Sequence, residues 1–415
     1  MGDAARTGMT FHPERDRLMA EAHARPSTPL DAPITAIRIA SLSGEGGVAD
    51  REHLASLCRS SLLPVPGADA KWWAVDAGVW SLRWERHTEF SSWTIFMRSG
   101  SGGPPTAWLA ALPGEVLVAT QADIRTAASE TDAPASGSSM IGARVLDGAA
   151  SVFTDFKPDD RGTTRMLVLL RSADRALVGR LVQMLLEIET YRLMALLAFP
   201  LAGRAGAAVA RFEAEAGALA AKLAEDAGVD ADRKLLQRIV ALSGEAEALN
   251  TQTSYRFRAA AAYYGIVGDR IATLREERIP GMQTIGEFMD RRLAPAMRTC
   301  DAVAEREASV IDRIARAGEM LRTRIEIEAE ATNAALLASM DRRSAVQLRL
   351  QRTVEGLSVA AIAYYAISLL AYPVKAVEKQ WAGFDAVLAI GLLTPVVVVL
   401  VWLAIRRLRR HGDTD

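Results

Sequence analysis

Cysteine is nearly absent: Cys58 and Cys300 are the two in the chain. They lie far apart and match no metal or redox spacing, which excludes a disulfide-built scaffold and fits a reducing compartment. Charge of one sign is also lacking. The formal net charge is −1 over 415 residues, so nucleic acid, which demands a basic face, is not an expected partner. No Walker loop, G-x-S-x-G, HExxH or clustered Cys/His site is present. Without a nucleophile or a ligand set, no catalytic residue, metal or cofactor is assigned, and a non-enzymatic role is expected. No apolar N-terminal segment follows a basic start, so no signal peptide is expected. Proline is missing between Pro295 and Pro373. At 1.5 Å per residue, that stretch predicts a helical rod on the order of 100 Å long.

Two long uncharged runs are present near the C-terminus. Gly356–Tyr372 reads GLSVAAIAYYAISLLAY, and Ala386–Ile405 reads AVLAIGLLTPVVVVLVWLAI. A helix needs about 20 apolar residues to cross a bilayer core, and about 17 is the lower end. The two runs predict a transmembrane hairpin. Arg342, Arg343, Arg349 and Arg352 precede it, and Arg406, Arg407, Arg409 and Arg410 follow it. The connector Pro373–Asp385 holds Lys375 and Lys379, offset by Glu378 and Asp385. Basic flanks stay cytoplasmic, so both termini are expected in the cytoplasm, with two spans between them. Tyr372, Trp381 and Phe384 would mark the outer interface and Trp402 the inner one. Pro395 interrupts the second run and predicts a kink. The first run places Ser358, Ala361, Tyr365, Ser368 and Tyr372 at spacings of three and four. That small or hydroxyl-bearing face can line a pore or carry helix packing, and packing against the second span is favoured.

The preceding residues divide in two. Residues 1–171 predict an α+β domain. Helices are expected at His12–His23 and Ala49–Leu62. Ile34, Ile37 and Ile39 suggest a strand. Trp80, Leu82 and Trp84 alternate, as do Trp93, Ile95 and Met97, which is strand patterning. Further strands are expected at Glu115–Thr120, Ile141–Val145, Ala150–Asp155 and Thr164–Leu170. Ser99–Pro105 and Ala127–Ser139 read as loops. Residues 172–353 predict a long-helix bundle or coiled-coil stalk without strands, with helices at Ala173–Phe199, Ala205–Ala227 and Ala231–Ile279. The apolar stretch Leu193–Gly203 is expected to be too short and interrupted to span a bilayer. Val310, Ile314, Ala317, Leu321 and Ile325 form a short heptad-like seam that Glu328 breaks. A bundle within one chain is slightly preferred over a self-contacting stalk. Residues 354–405 are the hairpin and 406–415 a basic cytoplasmic tail.

Two strings stand out: EAHARP at Glu21–Pro26 and RWERHTEF at Arg83–Phe90. Convergence of His23, Arg25, Arg83, Glu85, Arg86, His87 and Glu89 would make an anion-binding or acid–base cluster. The plainer expectation is a half-buried strand, with Arg83, Glu85, His87 and Glu89 sharing a polar face opposite Leu82, Trp84 and Arg86. That structural expectation is favoured, since the strings carry no geometry of their own. Gly44-Glu-Gly46-Gly-Val-Ala49 fits a relaxed dinucleotide fingerprint, but Glu45 would set a negative charge beside the pyrophosphate. An ordinary glycine-rich turn is expected.

Five strings together carry a family resemblance: HARP at 23–26, RWERHTEF at 83–90, ETYRLMALLAFPLA at 189–202, REERIPGMQTIGEFMDRRLAPAMRTC at 275–300 and LQRTVEGLSVAAIAYY at 350–365. The chain resembles the membrane-anchored bacterial proteins of domain-of-unknown-function family 3422. The resemblance implies a cytoplasmic domain with a membrane hairpin and brings no activity. The element order is also similar to that of the CorA magnesium-channel family. That family's Gly-Met-Asn filter is not matched, because the corresponding end reads Leu369-Leu-Ala-Tyr-Pro-Val. The resulting expectation is a membrane-anchored, self-associating protein with a sensing or binding domain. The alternatives are a homo-oligomeric cation or small-solute transporter and an enzyme built on the His/Glu/Arg cluster. The lipid bilayer and further copies of the chain are the expected partners.

Overall fold

A computed structural model describes residues 11–412 apart from 17, 20–26, 45–46, 99, 128–139, 173, 226–227, 379–382 and 384, with the side chains of 408–412 also left aside. The chain divides into two compact units. One joins Met1–Asp226 to Lys234–Gly318, and the other joins Ala227–Arg233 to Glu319–Asp415.

The first unit is built on a sheet. In chain order its strands are β1 (Ile34–Leu42), β2 (Trp72–Asp76), β3 (Trp80–Arg86), β4 (Ser91–Arg98), β5 (Glu115–Thr126), β6 (Ile141–Val145), β7 (Ala150–Pro158), β8 (Thr164–Leu170) and β9 (Glu277–Arg278). The spatial order is β2-β3-β4-β1-β5-β8-β7-β6-β9. The β5/β8 ladder is parallel and the other strand ladders are antiparallel. Helix α1 (Val48–Ser60) and the short α2 (Thr106–Ala110) cover one face. There Leu54, Leu57 and Cys58 of α1 and Trp108 of α2 bury Leu82, Trp84, Trp93 and Ile95. Helix α3 (Arg175–Leu196) covers the opposite face, where Met194 packs against Ala40, Phe90 and Val118.

Helices α4 (Ala198–Leu223), α5 (Val229–Leu274), α6 (Ile285–Arg292), α7 (Ala294–Glu378) and α8 (Ala386–Gly412) follow. Within the first unit, α4, α5 and α7 form a bundle. Its apolar seams include Val209 and Phe212, Ile239 and Leu242, and Val310 and Ile314. Arg306 of α7 binds Glu213 of α4 at 2.5 Å, and Arg211 of α4 binds Glu245 of α5 at 2.9 Å. Val310 and Ile314 of the expected seam are buried within the chain.

In the second unit, Arg324 pairs with the buried Asp232 at 2.8 Å. Ile367, Leu370, Ala371 and Val374 of α7 line one small gap of about 10 Å³ with Ile390, Leu393 and Val397 of α8, so the two apolar helices lie side by side.

Several boundaries depart from expectation. Helix α3 ends at Leu196 and α4 begins at Ala198. Pro200 thus opens a helix, because a first turn has no intrahelical use for the missing N–H. A strand does exist beyond Ala173: β9 pairs with β6 through Ala143↔Arg278 and Arg144↔Glu277. Helix α7 continues through Pro373 to Glu378 rather than stopping at Tyr372. Helix α8 contains Pro395, where a kink rather than an end is expected. The helix expected at His12–His23 is described only in part, and the loop at Ala127–Ser139 lies almost wholly outside the described residues.

Among the described residues, three helical stretches are long and apolar enough to cross a membrane: Arg175–Leu223, Ile285–Glu378 and Ala386–Arg407. The first contains Leu193–Gly203, the stretch expected to be too short and interrupted to span a bilayer. It differs from the others in packing. A third (33%) of its most apolar stretch is buried inside the protein, against 6% for each of the other two. The face of α3 holding Leu181, Val182 and Leu185 is fully covered by protein.

Candidate functional site

The sheet face under α3 is unusually polar. Register places Arg38 of β1 opposite Thr94 of β4 and Thr120 of β5, and Glu85 of β3 opposite Ser92 of β4. All five are buried, as is Arg83. Arg38 donates from Nη2 to Glu85 Oε2 at 3.0 Å, and Arg83 Nη2 lies 3.5 Å from the same oxygen. Ser92 Oγ donates to that oxygen at 3.4 Å. Two guanidiniums thus share one carboxylate away from water. Burying such charges costs several kcal/mol per ion before pairing, so the cluster specifies an arrangement rather than simply adding stability.

A second cluster forms where β1 runs into α1. Gly47 precedes α1 with φ 62, a left-handed backbone that glycine adopts without steric cost. A Cβ there would meet Arg86 Cδ at 3.2 Å and Arg51 Nη1 at 3.5 Å. Asp50, in the first turn of α1, is fully buried and accepts from Ser43 Oγ and Ser91 Oγ, each at 2.6 Å. Arg86 Nη1 lies 3.6 Å from Asp50 Oδ2, and its Nη2 donates to the Gly44 carbonyl at 2.5 Å. These contacts fix Arg86 at the end of β3.

The chain turns directly after Arg86. The His87 N–H donates to the Phe90 carbonyl at 2.8 Å. His87 and Glu89 therefore leave the strand, and the four-residue polar face expected for Arg83 to Glu89 does not form. Arg83 and Glu85 point into the protein, because α3 covers that face. The His87 ring stacks on Phe90 at 4.2 Å, and its Nε2 lies 3.2 Å from Ser92 Oγ. Glu89 is held from α5: Arg256 donates twice, at 3.0 and 2.5 Å, and Tyr263 Oη donates at 2.7 Å. Tyr191 of α3 stacks on Tyr263 at 5.5 Å, and Phe90 meets both rings edge-on. Burial, then the hydrogen bond to Glu89, pushes the Tyr263 phenol well above its ordinary range. Burial also raises Tyr191. Both phenols are neutral at physiological pH, and Tyr263 is a donor.

These groups surround a cleft of about 770 Å³. One wall carries Arg51, Lys71 and Arg86, with Asp69 as its acid. The other carries His87, Phe90, Tyr191, Tyr263 and Ile266. The volume lies within the range of roughly 300–1,000 Å³ typical of small-molecule sites.

Of the seven residues expected to converge, Arg86 and His87 line the cleft. Glu89 is tied back to α5 beside it, and Arg83 and Glu85 are buried in the sheet. His23 and Arg25 lie outside the described residues. Sequence reasoning missed Arg51, Lys71, Tyr191 and Tyr263. The tyrosine in ETYRLM stood inside a quoted string, but nothing local tied it to Phe90.

In the apolar helices, Ser358, Ala361, Tyr365 and Tyr372 are exposed and Ser368 is half-buried. The side of α7 that meets α8 is instead Ile367, Leu370, Ala371 and Val374. The residues of the hydroxyl-bearing face are not among those lining the gap between α7 and α8. Larger aliphatic side chains fill the gap between these helices.

The family described as "Protein of unknown function (DUF3422)" matches residues 10–412. No curated protein and no solved structure matches the chain.

Proposed function

The chain belongs to that DUF3422 family, and we propose that it is a membrane-anchored, self-associating protein whose sheet-bearing unit binds an anionic ligand. The observation that carries the binding reading is the cleft, with Arg51, Lys71 and Arg86 on one wall against the single acid Asp69. Arginine and lysine together favour oxyanions through charge-assisted hydrogen bonds. Aromatic surface on the other wall supplies the apolar contact that a weakly hydrated ligand needs.

Anchoring is supported by the two apolar helices, most of whose side chains stand exposed outside the seam where the helices meet. The basic flanks support a hairpin with both ends in the cytoplasm of a bacterial cell. Self-association is supported by Leu336, Leu337, Met340, Val346, Leu348 and Leu350, which stand exposed on α7 ahead of the span. Detergent-solubilised protein should scatter light as an oligomer over a wide concentration range, and a monomer throughout would remove that part.

Calorimetric titration of the full chain with inorganic phosphate tests the binding. Saturable binding that Lys71→Glu weakens at least tenfold is expected. No heat with the parent protein would overturn it.

A second reading, cation or small-solute transport by several copies, is favoured by one observation. Ser358, Ala361, Tyr365 and Tyr372 are exposed along one face of the first apolar helix. Proteoliposomes with no cation flux above empty vesicles would remove it.

A further inference from the structure

The cleft has two chemically different walls. The cationic wall of Arg51, Lys71 and Arg86 is matched by an oxyanion of more than one charge. Asp50 already offsets part of Arg86, and Asp69 offsets part of the rest. A single phosphate group, rather than a polyphosphate, therefore suits this wall. The facing wall is not merely apolar. His87 lies flat on Phe90, with ring planes 13° apart, and Tyr191 lies flat on Tyr263 at 22°. Phe90 is almost wholly buried beneath them. His87, Tyr191 and Tyr263 are half-buried, so part of each ring still faces the cleft. Such a wall favours a planar ring, because ring faces stack with little conformational cost.

The wall is also rigid. Tyr263 is held by Glu89, which Arg256 grips with both nitrogens. His87 is held by Ser92, whose hydroxyl reaches the buried Glu85. Ordered side chains spare a ligand the cost of ordering them. The Tyr263 phenol donates to Glu89, so its ring, rather than its hydroxyl, is what it offers a ligand.

We propose that the ligand is a nucleoside phosphate, with its phosphate at Arg51, Lys71 and Arg86 and its base against the rings of Tyr191, Tyr263 and His87. This rests on the anion-binding reading above and assigns the rest of the ligand. It differs from a dinucleotide fold, because the glycine-rich turn supplies Gly47 for close approach of the two arginines and no conserved pyrophosphate cradle is invoked.

The test is titration of the full chain in detergent with four probes: adenosine 5′-monophosphate, guanosine 5′-monophosphate, ribose 5-phosphate and adenosine. At least one of the nucleotides should bind about tenfold or more tightly than ribose 5-phosphate, as one stacked base contributes. Adenosine alone should bind weakly. Equal affinity for both nucleotides and for ribose 5-phosphate would overturn the nucleoside assignment while leaving anion binding in place. Adenosine binding as tightly as its phosphate would overturn the anion reading itself. No binding by any probe would overturn both. Tyr191→Leu should reduce nucleotide affinity about tenfold and leave ribose 5-phosphate unchanged. Loss of both equally, at unaltered melting temperature, would contradict the stacking role.

Discussion

Two ionisable residues, one buried and one half-buried, respond to pH in opposite directions. Glu307 of α7 is 3% exposed and meets Thr253 Oγ1 of α5 at 2.9 and 3.0 Å. Thr253 has one hydroxyl proton, and the Leu249 carbonyl lies within reach at 3.0 Å. Thr253 donates to the Glu307 carboxylate, which favours the ionised form, but burial opposes it more strongly. Burial accordingly raises the Glu307 pKa. The folded state then holds a proton that the unfolded state releases above about pH 4.3. Stability from this residue is full below that value and falls as pH rises through the folded pKa. Glu307→Gln should flatten that decline in a melting series over pH, and an unchanged slope would show that Glu307 is ionised throughout.

His53 runs the other way. It stacks on Trp108 at 4.5 Å and contacts the Trp108 carbonyl at 3.0 Å, while Trp108 Nε1 donates back to the His53 carbonyl at 3.0 Å. Burial lowers its pKa. Its stabilising share is present above the ordinary imidazole pKa of about 6.5 and is lost as pH falls. The His53 ring resonances should titrate below that value. At the cleft, Glu89→Ala leaves Arg256 and Tyr263 without their acceptor, and should cost about 1–3 kcal/mol in chemical unfolding.

Elements show what was legible in the chain. Period-two patterning located β3 and β4 because Leu82, Trp84, Trp93 and Ile95 face one continuous aromatic core. β2 was not anticipated. It is an edge strand with mostly solvent-facing side chains, so no buried alternation marks Trp72–Asp76. The cleft was half legible: Arg86 and His87 sit in a conspicuous string, but Tyr263 reaches Glu89 across 174 positions, and nothing local announces such a pairing. Close approach is equally silent. A Cβ on Gly179 of α3 would lie 2.0 Å from the Thr28 carbonyl oxygen, and the Leu30 N–H donates to the Arg175 carbonyl at 3.0 Å. Gly179→Ala must displace backbone rather than a flexible side chain. A loss of about 1–3 kcal/mol or more is expected, read as a lower melting temperature. An unchanged melt would mean that the 27–30 segment moves aside freely.

At the scale of the molecule, composition and structure converge on the same two helices. Each is apolar, nearly bare of protein contacts and flanked by arginine. Residues Ala386–Ile405 at 1.5 Å per residue reach about 30 Å, the thickness of a bilayer core. The third apolar stretch, Arg175–Leu223, is distinguished by the sheet it covers. The most direct measurement is cysteine accessibility in intact bacterial cells. Single cysteines are introduced as Ser344→Cys before the first span, Lys375→Cys between the spans and Thr414→Cys after the second, and an impermeant maleimide is applied. The expected result is labelling of Lys375→Cys in intact cells, with the other two labelled only after permeabilisation. Labelling of all three alike, or release of the protein by alkaline carbonate, would contradict the membrane hairpin.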